Sequence, residues 1–221
     1  MPSFFARREG GRAVIEGGDA RHLARSLRAR VGEQIEVIDP RGFLLTVHLD
    51  VVSPERVEGQ IVAEREHRPE PEARIALAIA NLPAVALELV LSRCTEAGAH
   101  SFLVFQADRS VARGARPERW ATICREAAML AGRLHVPDVD SAPSLDDVLG
   151  RVQHPVMLVR GAPAPLTALV KPRDVTLLIG PEGGWTDREL ALVPVHAGLG
   201  PRNLRADTAA LVGLAVALAG R

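Results

Sequence analysis

Ile179-Gly180-Pro181-Glu182-Gly183-Gly184 and Leu199-Gly200-Pro201-Arg202-Asn203-Leu204-Arg205-Ala206-Asp207-Thr208-Ala209 decide how this chain is read. Each stretch begins where an apolar, strand-like run stops, and each leads into a helix-like segment. Glycine-bearing turns in that position let backbone N–H and C=O groups approach a flat ligand closely, because no Cβ stands in the way. In an α/β sheet, turns at the carboxyl ends of strands form the usual ligand crevice. The pair predicts a cofactor site built mostly from main chain.

Upstream of these turns the pattern alternates between strands and helices. Ile75 to Ala80, Phe102 to Gln106, Val156 to Arg160 and Val175 to Ile179 read as strands. Val85 to Ala97, Pro117 to Ala131, Asp187 to Val195 and Thr208 to Ala219 read as helices. This alternation predicts an α/β domain over 73–221, with a mainly parallel sheet and helices on both faces. Residues 1–70 read differently, as short strands at Arg12 to Glu16, Gln34 to Asp39, Leu44 to Val52 and Val57 to Glu64. One helical piece, Asp19 to Arg30, interrupts them with Asp19 as its N-cap, so a small β-barrel with a short helix is expected. Glu64 to Glu72 reads as a charged, proline-bearing linker.

Composition narrows the function classes. The 221 residues are 47% hydrophobic, enough for a packed core, and only 3% aromatic, which leaves little for a stacking platform. Two cysteines make neither a disulfide framework nor a metal cluster, so a reducing, cytoplasmic setting is the natural expectation. No signal-peptide pattern opens the chain, and the longest apolar run, Ala209 to Gly220, is too short to span a bilayer.

The formal net charge is zero, yet the first thirty residues carry seven arginines against three acids. A local basic face is all that phosphate contact requires. Arginine is also the default cation here, Lys171 being the one lysine in the sequence.

Several chemistries fail on spacing. Gly180 to Gly184 lacks the Lys-Ser/Thr end of a P-loop and the Gly-x-Gly-x-x-Gly of dinucleotide folds. There is no Gly-x-Ser-x-Gly elbow, no Cys-x-x-Cys, and no paired spacing among seven histidines, so no metal site is expected. On spacing alone, Glu182 fits a helix cap better than a ligand contact.

The two C-terminal stretches resemble the signature of the SPOUT methyltransferases and, more narrowly, the ribosomal RNA small subunit methyltransferase E family. The resemblance runs nearly end to end. His22-Leu23-Ala24-Arg25-Ser26-Leu27-Arg28 with Gly32-Glu33 is similar to that family's PUA-like RNA-binding module. Thr95-Glu96-Ala97-Gly98, Arg109-Ser110-Val111, Arg119-Trp120, Glu126-Ala127-Ala128, Gly132-Arg133 and Val136-Pro137 match in order and spacing.

What the resemblance implies is an N-terminal PUA-like small β-barrel followed by a SPOUT α/β domain with a deep trefoil knot. It implies a homodimer that methylates N3 of one uridine in 16S ribosomal RNA of the small subunit, using S-adenosyl-L-methionine. By the same likeness, Ile179, Gly180, Glu182, Gly183, Gly184, Leu199, Gly200, Leu204, Arg205, Thr208 and Ala209 would hold the cofactor. Arg205 would also favour negative charge on the uracil oxygens, or else pin the loop through Asp207 or Glu182. Arg7, His22, Arg25, Arg28, Arg109 and Arg133 are the expected RNA contacts.

The chain departs from the family pattern at Met129-Leu130-Ala131, at Pro83-Ala84 and at Glu96-Ala97-Gly98. Two other readings therefore stand beside the first. One is a paralogue acting as an RNA-binding assembly factor with weak or altered methyltransferase activity. The other is a small-molecule α/β enzyme with the N-terminal barrel as a cap.

Overall fold

The computed structural model describes residues 3–169 and 174–219. The chain forms two compact units, Met1–Glu70 with Ala128–His135, and Pro71–Ala127 with Val136–Arg221.

The first unit holds β1 (Phe4–Phe5), β2 (Arg7–Glu9), β3 (Arg12–Glu16), α1 (Gly17–Arg21), β4 (Gln34–Asp39), β5 (Phe43–Val52) and β6 (Arg56–Glu66). Its six-stranded sheet has the order β1-β4-β5-β6-β3-β2, antiparallel except for the β1–β4 pair. One face buries Ile15, Val37, Leu45, Val47 and Leu49 around Phe4 and Leu23.

The expected helix Asp19 to Arg30 is shorter and differently built. α1 begins at Gly17, so Asp19 sits in the first turn rather than at the cap. It runs into a π-helical turn, His22–Ser26, and Arg28 then takes a left-handed conformation (φ 55°) that ends the helix. The expected linker is also partly strand, since β6 extends to Glu66. β1 and β2 are too short to show an alternation in sequence.

The second unit runs β7 (Arg74–Ala80), α2 (Ala84–Glu96), β8 (Ser101–Phe105), α3 (Pro117–Ala131), β9 (Asp138–Ala142), α4 (Leu145–Leu149), β10 (Pro155–Leu158), α5 (Leu166–Leu169), β11 (Asp174–Ile179), α6 (Asp187–Leu192), β12 (His196–Ala197) and α7 (Ala206–Ala219). The last turn of α3 belongs to the first unit. All strand pairs of this sheet are parallel, in the order β12-β10-β11-β7-β8-β9.

Side chains alternate across a strand, and here both faces are buried. Ile75, Leu77 and Ile79 of β7, with Leu177 and Ile179 of β11, face a core shared with α2, α3 and α7. Ala78, Ala80 and Leu178 face the other core, with Leu145 and Val148 of α4. Burial on both faces is why these strands read as continuous apolar runs.

α6 stops at Leu192, short of the expected Val195. Val193 precedes Pro194, whose ring disfavours helix in the residue before it, and Val193 is extended (φ −117°, ψ 113°). β9 went unread because only Ala142 of Asp-Val-Asp-Ser-Ala is buried.

Candidate functional site

The carboxyl ends of β10 and β11 and the segment after β12 enclose a cleft of about 580 Å³. Ile179 closes β11, and Gly180 to Trp185 form one wall. Leu199, Gly200, Leu204, Arg205 and Ala209 form the other. Of the residues expected to hold the cofactor, Thr208 alone does not line the cleft. Leu158, Val159, Arg160, Trp185, Arg202, Asn203 and Ala206 line it as well. Sequence reading passed over these residues. Trp185 and Arg202 lie inside the quoted stretches or next to them, whereas Leu158 and Arg160 are brought in by β10–β11 pairing.

Trp185 supports the first wall from beneath. Its indole N–H donates to the Leu158 carbonyl at 3.0 Å, and its ring stacks on Phe105 with centroids 6.2 Å apart and planes 9° apart. A Cβ on Gly180 would lie 2.8 Å from Cε2 of that ring, so Gly180 is the residue this close approach permits.

The loop after β8 grips the same wall from outside. Nη1 of Arg109 donates to the carbonyls of Gly183 (3.2 Å) and Trp185 (3.1 Å). A Cβ on Gly183 would come within 3.1 Å of the Arg109 Cβ. Next to Arg109, Asp108 accepts from Thr186 Oγ1 at 2.8 Å and from two nitrogens of Arg188 at 3.1 and 2.9 Å. Those bonds, Arg188 first and Thr186 second, hold the Asp108 carboxyl below its ordinary value. Glu189, fully buried, closes a capping box with Thr186 and accepts the Asp108 backbone N–H at 3.0 Å. Thr186, not Glu182, therefore caps α6; Glu182 is exposed on the turn.

The second wall is polar main chain. Among the described residues, the backbone of Leu199 through Asn203 makes no hydrogen bond to the rest of the chain. Backbone groups at a cleft are usually paired, so these are available to a ligand. Arg205 is exposed, and its closest carboxylate contact is Asp207 at 4.0 Å, a weak tether. The cleft thus carries the charges of Arg160, Arg202 and Arg205 against Glu182. No group of His, Cys, Asp or Glu among the described residues is placed to hold a metal.

The arginines of the first unit divide into two sets. Arg7 pairs with Glu9 and Glu16, Arg8 with Asp39 and Glu64, and Arg12 with Asp50 and Glu58. Arg21, Arg25, Arg28 and Arg30 are exposed, and their side chains make no ion pair among the described residues. His22 is exposed beside them, with its ring 5.8 Å from that of Phe4.

Arg133 is 4% exposed, and its guanidinium is engaged by Glu70 at 2.6 Å. That position removes it from the surface where an RNA phosphate would be met. Met129, one of the departures from the family pattern, is buried in the first unit's core, while Leu130 is exposed.

Residues 68–218 match a family model described as RNA methyltransferase domain, and residues 15–62 match one described as RNA methyltransferase PUA domain. The chain is 32% identical over 222 residues to the ribosomal RNA small subunit methyltransferase E of Bacillus subtilis, covering 90% of this chain and 87% of that protein. It is 31% identical to the protein of the same name from Mycobacterium tuberculosis, covering 93% and 85%. Among solved structures it is similar to the Neisseria gonorrhoeae ribosomal RNA small subunit methyltransferase E bound to S-adenosyl methionine. There the TM-score is 0.84 and the identity 26%, with 97% of this chain and 95% of that chain covered.

Proposed function

Because the chain belongs to the ribosomal RNA small subunit methyltransferase E family, we propose that it methylates N3 of a uridine in 16S ribosomal RNA of the small subunit. S-adenosylmethionine supplies the methyl group, as an electrophile on a sulfonium. The carrying observation is the cleft itself: unpaired main chain from Leu199 to Asn203 faces a wall whose Gly180 leaves room only for backbone. That arrangement fits a flat purine read by N–H and C=O groups, with Ile179, Leu204 and Ala209 as apolar surface. In this reading the enzyme is a cytoplasmic homodimer. Its 73–221 domain carries the family's trefoil knot, and its 1–70 domain carries the RNA contacts. No helix among the described residues is long and apolar enough to cross a membrane.

The residues divide the work as follows. Methyl transfer is an in-line displacement, so holding the two reactants in register supplies much of the rate. Uracil N3 carries a proton at neutral pH; its transfer to solvent water leaves negative charge shared with the ring oxygens. The N3 lone pair then takes the methyl group as the sulfonium S–C bond breaks and the neutral thioether leaves. Arg205, exposed on the cleft wall and only loosely tethered, donates hydrogen bonds to that charge as an oxyanion hole does. Arg21, Arg25, Arg28 and Arg30 hold phosphates, and His22 lies among them.

Purified protein, small subunits lacking the modification and labelled S-adenosylmethionine test the reading directly. Mass spectrometry of the digested RNA should find one new N3-methyluridine; absence of any new methyl group would refute the function. In the Arg205→Ala protein, turnover should fall by about 10²-fold or more with cofactor affinity nearly unchanged. Wild-type turnover there would remove Arg205 from catalysis.

A further inference from the structure

The carboxyl edge of the parallel sheet carries a second cleft, at the ends of β7, β8 and β9, with a volume of about 320 Å³. This lies within the range of small-ligand pockets, about 300–1,000 Å³. Phe105, Trp120 and Pro143 give it apolar walls, and Asn81, Gln106 and Gly114 give it polar ones.

Asn81 and Trp120 are nearly buried, at 9% and 4% exposed. Each keeps a polar group unspent. The Asn81 amide donates to the Gly114 carbonyl at 3.2 Å, and the Gln106 amide donates to the Ser110 carbonyl at 3.1 Å. Among the described residues, the carbonyl oxygens of both side chains and the indole N–H of Trp120 have no partner. None of these three atoms is sealed from solvent, so two acceptors and a donor open between apolar walls, the arrangement by which a small-ligand pocket fixes the orientation of what it binds. The matching chemistry is a planar ring with N–H and C=O on its edge, which describes a nucleobase.

Two further features tie this cleft to the RNA substrate rather than to a free metabolite. Gly114 and Ala115, on its rim, are flanked by exposed Arg113 and Arg116. Arg113 has no partner among the described residues, whereas Arg116 shares the field of Glu88. A free cation beside a base-sized cleft suits a nucleotide phosphate. The rim also belongs to the segment whose other end, Asp108 and Arg109, grips the cofactor-side loop.

Phe105 lines the second cleft and Trp185 lines the first, and the two rings stack between them. A base in the second cleft is therefore screened from the methyl donor by two aromatic rings. We propose that the second cleft, between Asn81, Phe105, Gln106 and Trp120, binds a nucleotide neighbouring the one that is methylated, with its phosphate on Arg113. This rests on the RNA methyltransferase reading above, and it adds a subsite to it.

The chain has two tryptophans, one in each cleft. In the Trp185→Phe protein, Trp120 alone reports on the second cleft. A short single-stranded, uridine-containing RNA should quench its fluorescence saturably. Ala115→Phe, which places a ring over the exposed rim, should weaken that binding about tenfold, the scale of one lost stacked base. Arg113→Ala should lower the salt slope of binding by about one. Calorimetry with S-adenosylmethionine should give the same affinity in both rim variants as in their parent.

No quench, or unchanged RNA affinity in both rim variants, overturns the subsite. The quench also separates the two readings. A saturable quench in a protein whose wild type transfers no methyl group would defeat the proposed function and leave the subsite standing. Methyl transfer without the quench would do the reverse.

Discussion

The indole of Trp185 occupies the space that a side chain on Gly180 would need, with Cε2 2.8 Å from where the Cβ would stand. The same indole is fixed by its hydrogen bond to Leu158 and by its stack on Phe105, so it cannot swing aside without breaking both. Overpacking of this kind costs about 1–3 kcal/mol. Gly180→Ala should therefore raise the Kd for S-adenosylmethionine about tenfold, with the secondary structure intact by circular dichroism. Unchanged affinity by calorimetry would mean that the Trp185 wall does not shape the cofactor site.

Arg109 connects two loops by placing one guanidinium on two carbonyls, those of Gly183 and Trp185. Both bonds leave one nitrogen, Nη1, whose two N–H directions are fixed by the planar guanidinium; a lysine ammonium is a freely rotating point charge on a flexible stem and does not hold those directions. Arg109→Ala and Arg109→Lys should both raise the KM for S-adenosylmethionine, by about three- to tenfold, while the KM for the small subunit stays near wild type. The opposite split, with RNA affinity lost and cofactor affinity kept, would return Arg109 to the RNA-contact role expected from sequence.

What sequence could and could not show follows from how far each signal reaches along the chain. β7 and β11 were legible because burial on both faces leaves an unbroken apolar run. Gly180 and Gly200 were legible as turns, since glycine after a strand is local information. The Trp185 support was not, because its reason lies at Leu158 and Phe105, far away in sequence. Nor was the fate of the N-terminal arginines. Arg7 meets Glu16 and Arg12 meets Glu58 on the adjacent strand through register, and Arg8 reaches Asp39 and Glu64 on strands further away in the sheet. Arg21, Arg25, Arg28 and Arg30 make no such pair among the described residues. Glu70 and Arg133 are a pair that only folding brings together. The hydrophobic Met129 makes sense only once the end of α3 is seen in the first unit's core.

Arg25 and Arg28 are exposed cations whose side chains make no ion pair among the described residues, on a short helical segment that ends in a left-handed residue. If they hold phosphates, Arg25→Ala with Arg28→Ala should lower the slope of log K against log salt by about two. Folding stability should barely change, because nothing is unpaired by the substitutions. The Arg7→Ala protein is the internal contrast, since Arg7 is already occupied by Glu9 and Glu16. Equal salt slopes for the double variant and the wild type would place the RNA contact elsewhere.

The Glu70–Arg133 pair gives the first unit an acid limit. Burial pushes the Glu70 carboxyl up, but the hydrogen bond and charge of Arg133 and the N–H groups of His135 and Leu134 outweigh it and hold the group below its ordinary value. A carboxyl lowered by folding stabilises the native state fully above its unfolded value, about 4.3 for glutamate. That contribution is lost as pH falls through the lower folded value. Urea unfolding followed at several pH values should therefore show no effect of this pair between pH 7 and 5 and a decline below pH ~4. Glu70→Gln removes the negative charge that stands against the buried Arg133 guanidinium. It should cost about 2 kcal/mol at pH 7, less than for a fully buried pair because Glu70 keeps some contact with solvent. In that variant the acid decline should flatten. Parallel curves for variant and wild type down to pH 3 would show that the pair does not set the acid limit.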